Sequence, residues 1–156
     1  MIRRAVPSDT DKIMMLWLKE SVAAHSFIPQ SCWDTCANMV KTKLLPCAET
    51  FVFCDKHQIK GFVSLLDGNY IGALFVRTDC QKRRIGRKLL EYVRRRRPQI
   101  SLRTYVQNER AIRFYRRCGF KIVAENIDNN TGAPEVLLIW SRGSMSGQHG
   151  RLPGDS

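Results

Sequence analysis

The sequence predicts a layered α/β (α+β) fold, and three observations carry that expectation. The first half holds three short apolar strands separated by tight turns, which reads as an antiparallel meander. The second half alternates strands with amphipathic helices, which reads as helices packed on a sheet. The 156 residues, 44% hydrophobic and 26% charged, suit one globular domain without metals or disulfides.

The elements follow in order. Ser8 is positioned to cap a first helix, with Asp11 three residues later completing a capping box. Ile13, Leu16, Trp17 and Val22 give that helix one apolar face, to about Ala24. After the link His25-Ser26-Phe27-Ile28-Pro29, a second helix is expected from Ser31 to Leu44, with Pro46 as its stop. Thr50–Cys54, Ile59–Leu66 and Tyr70–Val76 are the strands of the meander. A helix is expected over Arg84–Arg97, ended by Pro98. Ile100–Val106 is a strand, and Glu109–Arg117 is a helix ended by Gly119. Phe120–Glu125 and Glu135–Trp140 are the last strands, joined by a turn-rich loop. The expected domain is residues 1–142. Residues 143–156 hold four of the ten glycines and no packing face, which predicts a flexible tail.

No export or membrane segment is expected. The first apolar run, Ile13 to Leu18, is too short for a signal core or a bilayer span, so the reading is a cytoplasmic protein. The six cysteines form no Cys-x-x-Cys pair and lack metal-ligand spacing, so reduced thiols and no metal are expected.

Charge is the unusual feature. Residues 77–121 carry sixteen basic and three acidic side chains, net +13, while the rest of the chain is net −1. A segment of that kind attracts a polyanion, an acidic partner or a tRNA, although a solvated basic surface explains it equally well.

Two motifs lie in this segment. Gln81-Lys82-Arg83-Arg84-Ile85-Gly86-Arg87-Lys88 joins the strand ending at Val76 to a helix start. Free backbone N–H groups and the helix dipole there make an anion site able to take a pyrophosphate. The second is Asn108-Glu109-Arg110-Ala111-Ile112-Arg113-Phe114-Tyr115, closing on Gly119-Phe120, in which Tyr115 lies two turns beyond Asn108. Alone, the first reads as a solvated basic surface and the second as an amphipathic helix with an aromatic core residue.

Together they resemble the GNAT acetyltransferase family over about residues 1–141. The phosphate loop Gln/Arg-x-x-Gly-x-Gly/Ala is matched from Gln81 to Gly86. The block Asn-x-x-Ala-x-x-Phe-Tyr-x-x-x-Gly-Phe is matched at Asn108, Ala111, Phe114, Tyr115, Gly119 and Phe120. The chain looks most like the small bacterial enzymes of the YiaC and YjaB type, which share His-x-Phe-Ile, here His25 to Ile28. It departs from the family at Arg84, where the first glycine usually stands. Glycine there permits a positive φ or a close approach to phosphate, and an arginine strains the loop or adds a charged contact.

The resemblance implies a mostly antiparallel sheet splayed between two parallel strands, here Tyr70–Val76 and Ile100–Val106, with about four helices. It implies acetyl-coenzyme A as donor and a primary amine of a protein, peptide or small molecule as acceptor. Leu74, Phe75 and Val76 would contact the pantetheine arm, residues Lys82 through Lys88 with Gln81 the pyrophosphate, and Asn108 the cofactor. Tyr115 would protonate the departing thiolate, the phenol and an alkyl thiol having similar acidities in water. His25, Phe27, Trp33 and Tyr70 are candidates for the acceptor side. The base stays open between His25, Asp67 and a water chain. Also open are action on aminoacyl-tRNA and a non-catalytic module that binds acetyl-CoA or nucleic acid.

Overall fold

A computed structural model describes residues 1–145. Seven strands form one sheet in the order β1-β2-β3-β4-β5-β7-β6. They are β1 Ile2–Arg4, β2 Glu49–Asp55, β3 Gln58–Leu66, β4 Tyr70–Val76, β5 Gln99–Tyr105, β6 Lys121–Ile127 and β7 Pro134–Ser141. Every neighbouring pair is antiparallel except β4 with β5. Four main helices flank the sheet: α1 Thr10–Ala24, α2 Gln30–Met39, α3 Ile85–Arg94 and α4 Glu109–Arg117.

The period of two along the strands sorts side chains into two cores. Phe51, Phe53, Val63 and Leu65 face α3 and α4, where Ile85, Leu89, Leu90 and Val93 are fully buried. Each such helix residue contributes about 2 kcal/mol of burial. Val52 and Phe62 point to the opposite face and meet Ile13, Leu16, Trp17 and Trp33 of α1 and α2. Gly61 is required by this packing: a Cβ there would lie 2.9 Å from the Phe75 carbonyl and 3.2 Å from Ile85.

The structure corrects several boundaries. The first helix is preceded by a 3-10 turn, Pro7–Asp9, and its entry is held by Asp9, not by Ser8 and Asp11. The Asp9 carboxylate accepts the Val6 N–H at 2.8 Å and a two-pronged contact from Arg3 at 2.8 and 3.1 Å. The arginine holds that carboxyl below its ordinary range, first through the hydrogen bond. The second helix passes after Met39 into a wide π turn, Val40–Leu44, and Pro46 sits inside the closing turn Leu45–Cys47, where a missing N–H costs little. The helix expected to reach Arg97 ends at Arg94. Arg142–Met145 form a helical turn where the tail was expected to begin, and the remainder of that tail, from residue 146, lies outside the described residues. Among the described residues no helix is long and apolar enough to cross a membrane.

Candidate active site

The parallel pair is short. β4 and β5 are in register only at Tyr70 with Ser101 and Ile71 with Leu102. Beyond Ile71 the strands diverge, so the β5-facing edge of β4 has no strand partner. An extra residue, Gly72, bulges β4 at this point, opposite Ser64 and Leu65. Arg77 donates its N–H to the Lys60 carbonyl on β3, whereas the Val76 carbonyl accepts from the Gln81 side chain. Strand alternation therefore turns the main-chain groups of Leu74 and Val76 toward the gap. Those of Phe75 turn toward β3, so the expected contact through its backbone is not available on the open edge. Its ring packs 6.0 Å from Phe62.

The basic turn closes the end of this gap. Thr78–Arg83 form a 3-10 turn, and Arg84 follows at φ 61°, ψ 23° as the residue before α3. The arginine thus occupies the left-handed conformation for which glycine is suited. The first N–H groups of α3 have no partner within the helix, and Lys88 makes the first bond, to the Arg84 carbonyl at 3.0 Å. A Cβ at Gly86 would sit 3.6 Å from both Phe114 and Val76, an ordinary contact. The protein alone does not demand glycine there, and the missing side chain leaves room for a ligand at the helix start. Open donors, positive charge and that room fit a pyrophosphate.

Not all expected contacts are free. The Gln81 amide is held by Val76 at 3.1 Å, Arg83 is paired with Asp55 at 3.0 Å, and Ile85 is buried in the core. These residues and Lys82 bring their main chain to the turn. Arg84 and Lys88 are exposed and Arg87 is half-buried, the Lys88 ammonium 5.7 Å from the Phe53 ring. Glu20 of α1, only 4% exposed, accepts the Thr78 N–H at 3.2 Å and its hydroxyl at 2.8 Å, anchoring the start of the turn.

Other arginines of the basic segment hold the fold. Arg94 donates to the Cys118 carbonyl and lies over Trp140. Arg97 bonds Gly68 and pairs with Glu49. Arg142 caps the carbonyls of Arg94, Arg95 and Arg97. The Arg94–Arg97 run is therefore a helix terminus tied into the sheet, and only part of the excess charge remains for a partner.

A cleft of about 260 Å³ occupies the gap. Tyr70 to Phe75 and Leu102 to Tyr105 line it, with Asn108 and Tyr115 from the α4 side. Tyr115 is 7% exposed, its ring 5.1 Å from Phe114 and 5.5 Å from Phe120. Burial pushes its pKa well above the ordinary phenol value. The near-match with a thiol expected from solution acidities is thereby lost, and the phenol is protonated at neutral pH.

His25, Trp33 and Tyr70 do line the cleft, whereas Phe27 packs behind it, 5.7 Å from His25 and 5.8 Å from Tyr105. His25 is fixed as a neutral ring. A carbonyl can only accept, so Nδ1 donates to Ser21 at 2.8 Å, and Nε2 accepts from the Asn108 amide at 3.2 Å. The Asn108 oxygen in turn caps α4 by accepting the Ala111 N–H at 3.2 Å. Burial lowers the His25 pKa. The ring is committed to packing and bonding, which argues against it as base. Asp67 lies exposed in the β3–β4 turn at φ 53° and does not line the cleft.

Sequence reading missed Tyr105, Asp128 and Glu135, which form one wall with Arg103, a residue that the tRNA reading assigns to phosphate. Tyr105 stands opposite Glu135 in the β5–β7 register. Its hydroxyl donates to Asp128 at 2.5 Å, and burial followed by that carboxylate raises its pKa. The other Asp128 oxygen accepts the Asn130 N–H at 2.8 Å. Glu135 lies 3.6 Å from Arg103, whose guanidinium reaches over the Tyr70 ring at 5.6 Å. Burial first and Asp128 second raise the Glu135 pKa against the opposing pull of Arg103. The period of two along β5, which puts Arg103 and Tyr105 on one face, was the only signal available for this wall.

Known proteins are similar to this chain in sequence and fold. Residues 46–122 match the family model for the acetyltransferase (GNAT) domain. Over 140 residues the chain is 34% identical to peptidyl-lysine N-acetyltransferase YiaC of Escherichia coli (strain K12), covering 90% of this chain and 96% of that protein. The chain belongs to the GNAT acetyltransferase family. Peptidyl-lysine N-acetyltransferase YjaB of the same organism is 29% identical over 138 residues, 88% of this chain and 92% of that one. The solution structure of apo YjaB superposes with a TM-score of 0.79 at 27% identity, covering 90% and 96% of the two chains. The splayed sheet and the Tyr115 helix of this GNAT chain are thus set in a framework held in common with those relatives.

Proposed function

We propose that this protein is a cytoplasmic N-acetyltransferase that moves the acetyl group of acetyl-coenzyme A to the side-chain amine of a lysine in a peptide or protein. The observation that carries the reading is the open edge of β4 lying in the same cleft as Tyr115. The names of the relatives YiaC and YjaB support lysine as acceptor.

The donor supplies an activated thioester carbonyl. The start of α3, with Arg84, Arg87 and Lys88, holds its pyrophosphate by main-chain donors and charge. Main-chain donors of Leu74 and Val76 on the open edge hold the pantetheine arm and stabilise negative charge on the carbonyl oxygen as the amine attacks. Tyr115 donates its proton to the departing sulphur. Its raised pKa keeps that proton in place until charge develops on sulphur. Asn108 and His25 keep the α4 helix start and the cleft wall in register.

Calorimetry with acetyl-coenzyme A, followed by mass spectrometry of lysine-containing peptides, tests the reading. Uptake of the donor and addition of one acetyl group per modified lysine are expected. Donor uptake with acetylation of no peptide would remove lysine as the acceptor, and absence of uptake would remove the acetyltransferase reading itself.

A further inference from the structure

The reaction needs a group that receives a lysine ammonium and takes a proton from it, because the attacking nitrogen must be neutral and lysine is charged at neutral pH. Neither His25 nor Asp67 fits. Two carboxylates do face the cleft, and their surroundings set them apart. Asp128 is satisfied on both oxygens, by the Tyr105 hydroxyl and the Asn130 N–H, so both are already engaged. Among the described residues Glu135 has one ion-pair contact, the Arg103 guanidinium at 3.6 Å, and it is half-buried with Asp128 nearby.

A second observation points to a ligand in the same place. The Ser21 hydroxyl, fully buried, and the Trp33 indole N–H, 9% exposed, have no hydrogen-bond partner among the described residues. Both residues line this cleft. Tyr105 and Trp33 pack edge to face, their ring centroids 6.4 Å apart, and give this part of the cleft an apolar wall suited to an aliphatic stem. A site with a carboxylate held by one long ion-pair contact, a second carboxylate nearby and a buried hydroxyl able to accept a hydrogen bond is suited to an alkylammonium.

We infer that Glu135 binds the acceptor ammonium and removes its proton, with Asp128 as a neighbouring carboxylate held by Tyr105. The inference rests on the acetyltransferase reading above. The Glu135 carboxylate takes one proton from R–NH3⁺, giving a neutral acid and R–NH2. The nitrogen lone pair forms the C–N bond at the thioester carbonyl, and the C–S bond breaks with its electron pair on sulphur. That sulphur takes the Tyr115 proton, the second proton leaving nitrogen restores the phenol, and Glu135 returns its proton to solvent.

The charged groups facing Glu135 are Arg103 on β5 and Asp128 in the β6–β7 loop, with the Tyr105 and Tyr70 hydroxyls also lining the cleft. Glu135 must be ionised to act, so activity rises with pH through its pKa. Because that pKa is raised, the rise falls above the ordinary carboxylate range.

The test is the pH dependence of kcat/KM for a lysine peptide in the wild type, Glu135→Gln and Asp128→Asn. Glu135→Gln is expected to lose the acidic limb and at least about tenfold in rate at pH 7, with unchanged uptake of acetyl-coenzyme A. Asp128→Asn is expected to move the limb to lower pH. An alkoxyamine, whose nitrogen is neutral at pH 7, is the control acceptor after subtraction of its uncatalysed reaction. Glu135→Gln is expected to lose much less with it than with the lysine peptide, which a merely structural role would not produce. A wild-type limb and rate in Glu135→Gln, or equal losses with both acceptors, would overturn the assignment. Should Glu135→Gln fail to take up donor, an unmoved limb in Asp128→Asn would overturn it instead. A wild type inactive on both acceptors would overturn the acetyltransferase reading together with it.

Discussion

Asn108 donates its side-chain amide to His25 Nε2 at 3.2 Å, joining the start of α4 to the end of α1 across 83 residues of sequence. The same asparagine caps α4, and the same histidine donates to Ser21. One chain of hydrogen bonds thus orients the helix that carries Tyr115 and one wall of the cleft.

This chain makes stability depend on pH. The native His25 pKa is lowered, with burial as the main cause, so below about pH 6.5 the unfolded chain binds the proton more readily than the folded one. Stability therefore falls as pH drops through that value, by up to about 1.4 kcal/mol for each unit that separates the two pKa values. Thermal melts from pH 5 to 7.5 should show this slope, and His25→Gln should flatten it.

Arg84 holds a left-handed backbone that a non-glycine residue adopts only at a cost of about 1 kcal/mol. Arg84→Gly is expected to raise unfolding stability by a comparable amount in urea melts, while weakening donor affinity if the guanidinium contacts phosphate. A gain in both would mean that the side chain adds nothing to the anion site.

Glu20 links α1 to the entrance of the phosphate turn through Thr78. Glu20→Ala leaves the Thr78 N–H without its acceptor and is expected to cost about 1–3 kcal/mol. KM for acetyl-coenzyme A should rise more than KM for the acceptor, which steady-state kinetics separates.

The arginine run at the end of α3 divides by environment. Arg94 is 12% exposed in its side chain and bonds the Cys118 carbonyl over Trp140. Arg94→Ala should destabilise by about 2 kcal/mol, whereas Arg95→Ala should fall within about 0.5 kcal/mol of the wild type. Equal small effects in denaturant melts would mean that the run serves a partner and not the fold.

The parts of this site that were legible in the sequence are those built from local signals. Tyr70–Val76 and Glu109–Arg117 carry their own apolar periods and flanking turns, and both elements have those bounds in the structure. The gap was legible only through the paired motifs around Gly86 and Tyr115. The helix entry was misread because Asp9, not Ser8, is bound by Arg3 from β1, a contact that local capping rules do not contain. The acidic wall was missed for a similar reason. Glu135 and Asp128 reach the cleft through the register of β7 against β5 and through the Tyr105 hydroxyl, both set by tertiary pairing.

The most direct measurement is thiol release from acetyl-coenzyme A with a lysine peptide, comparing the wild type with Tyr115→Phe, alongside calorimetric donor affinity for both. The predicted result is a fall in kcat of at least about tenfold with donor affinity unchanged. An unchanged kcat in Tyr115→Phe would contradict the assignment of the proton to that phenol.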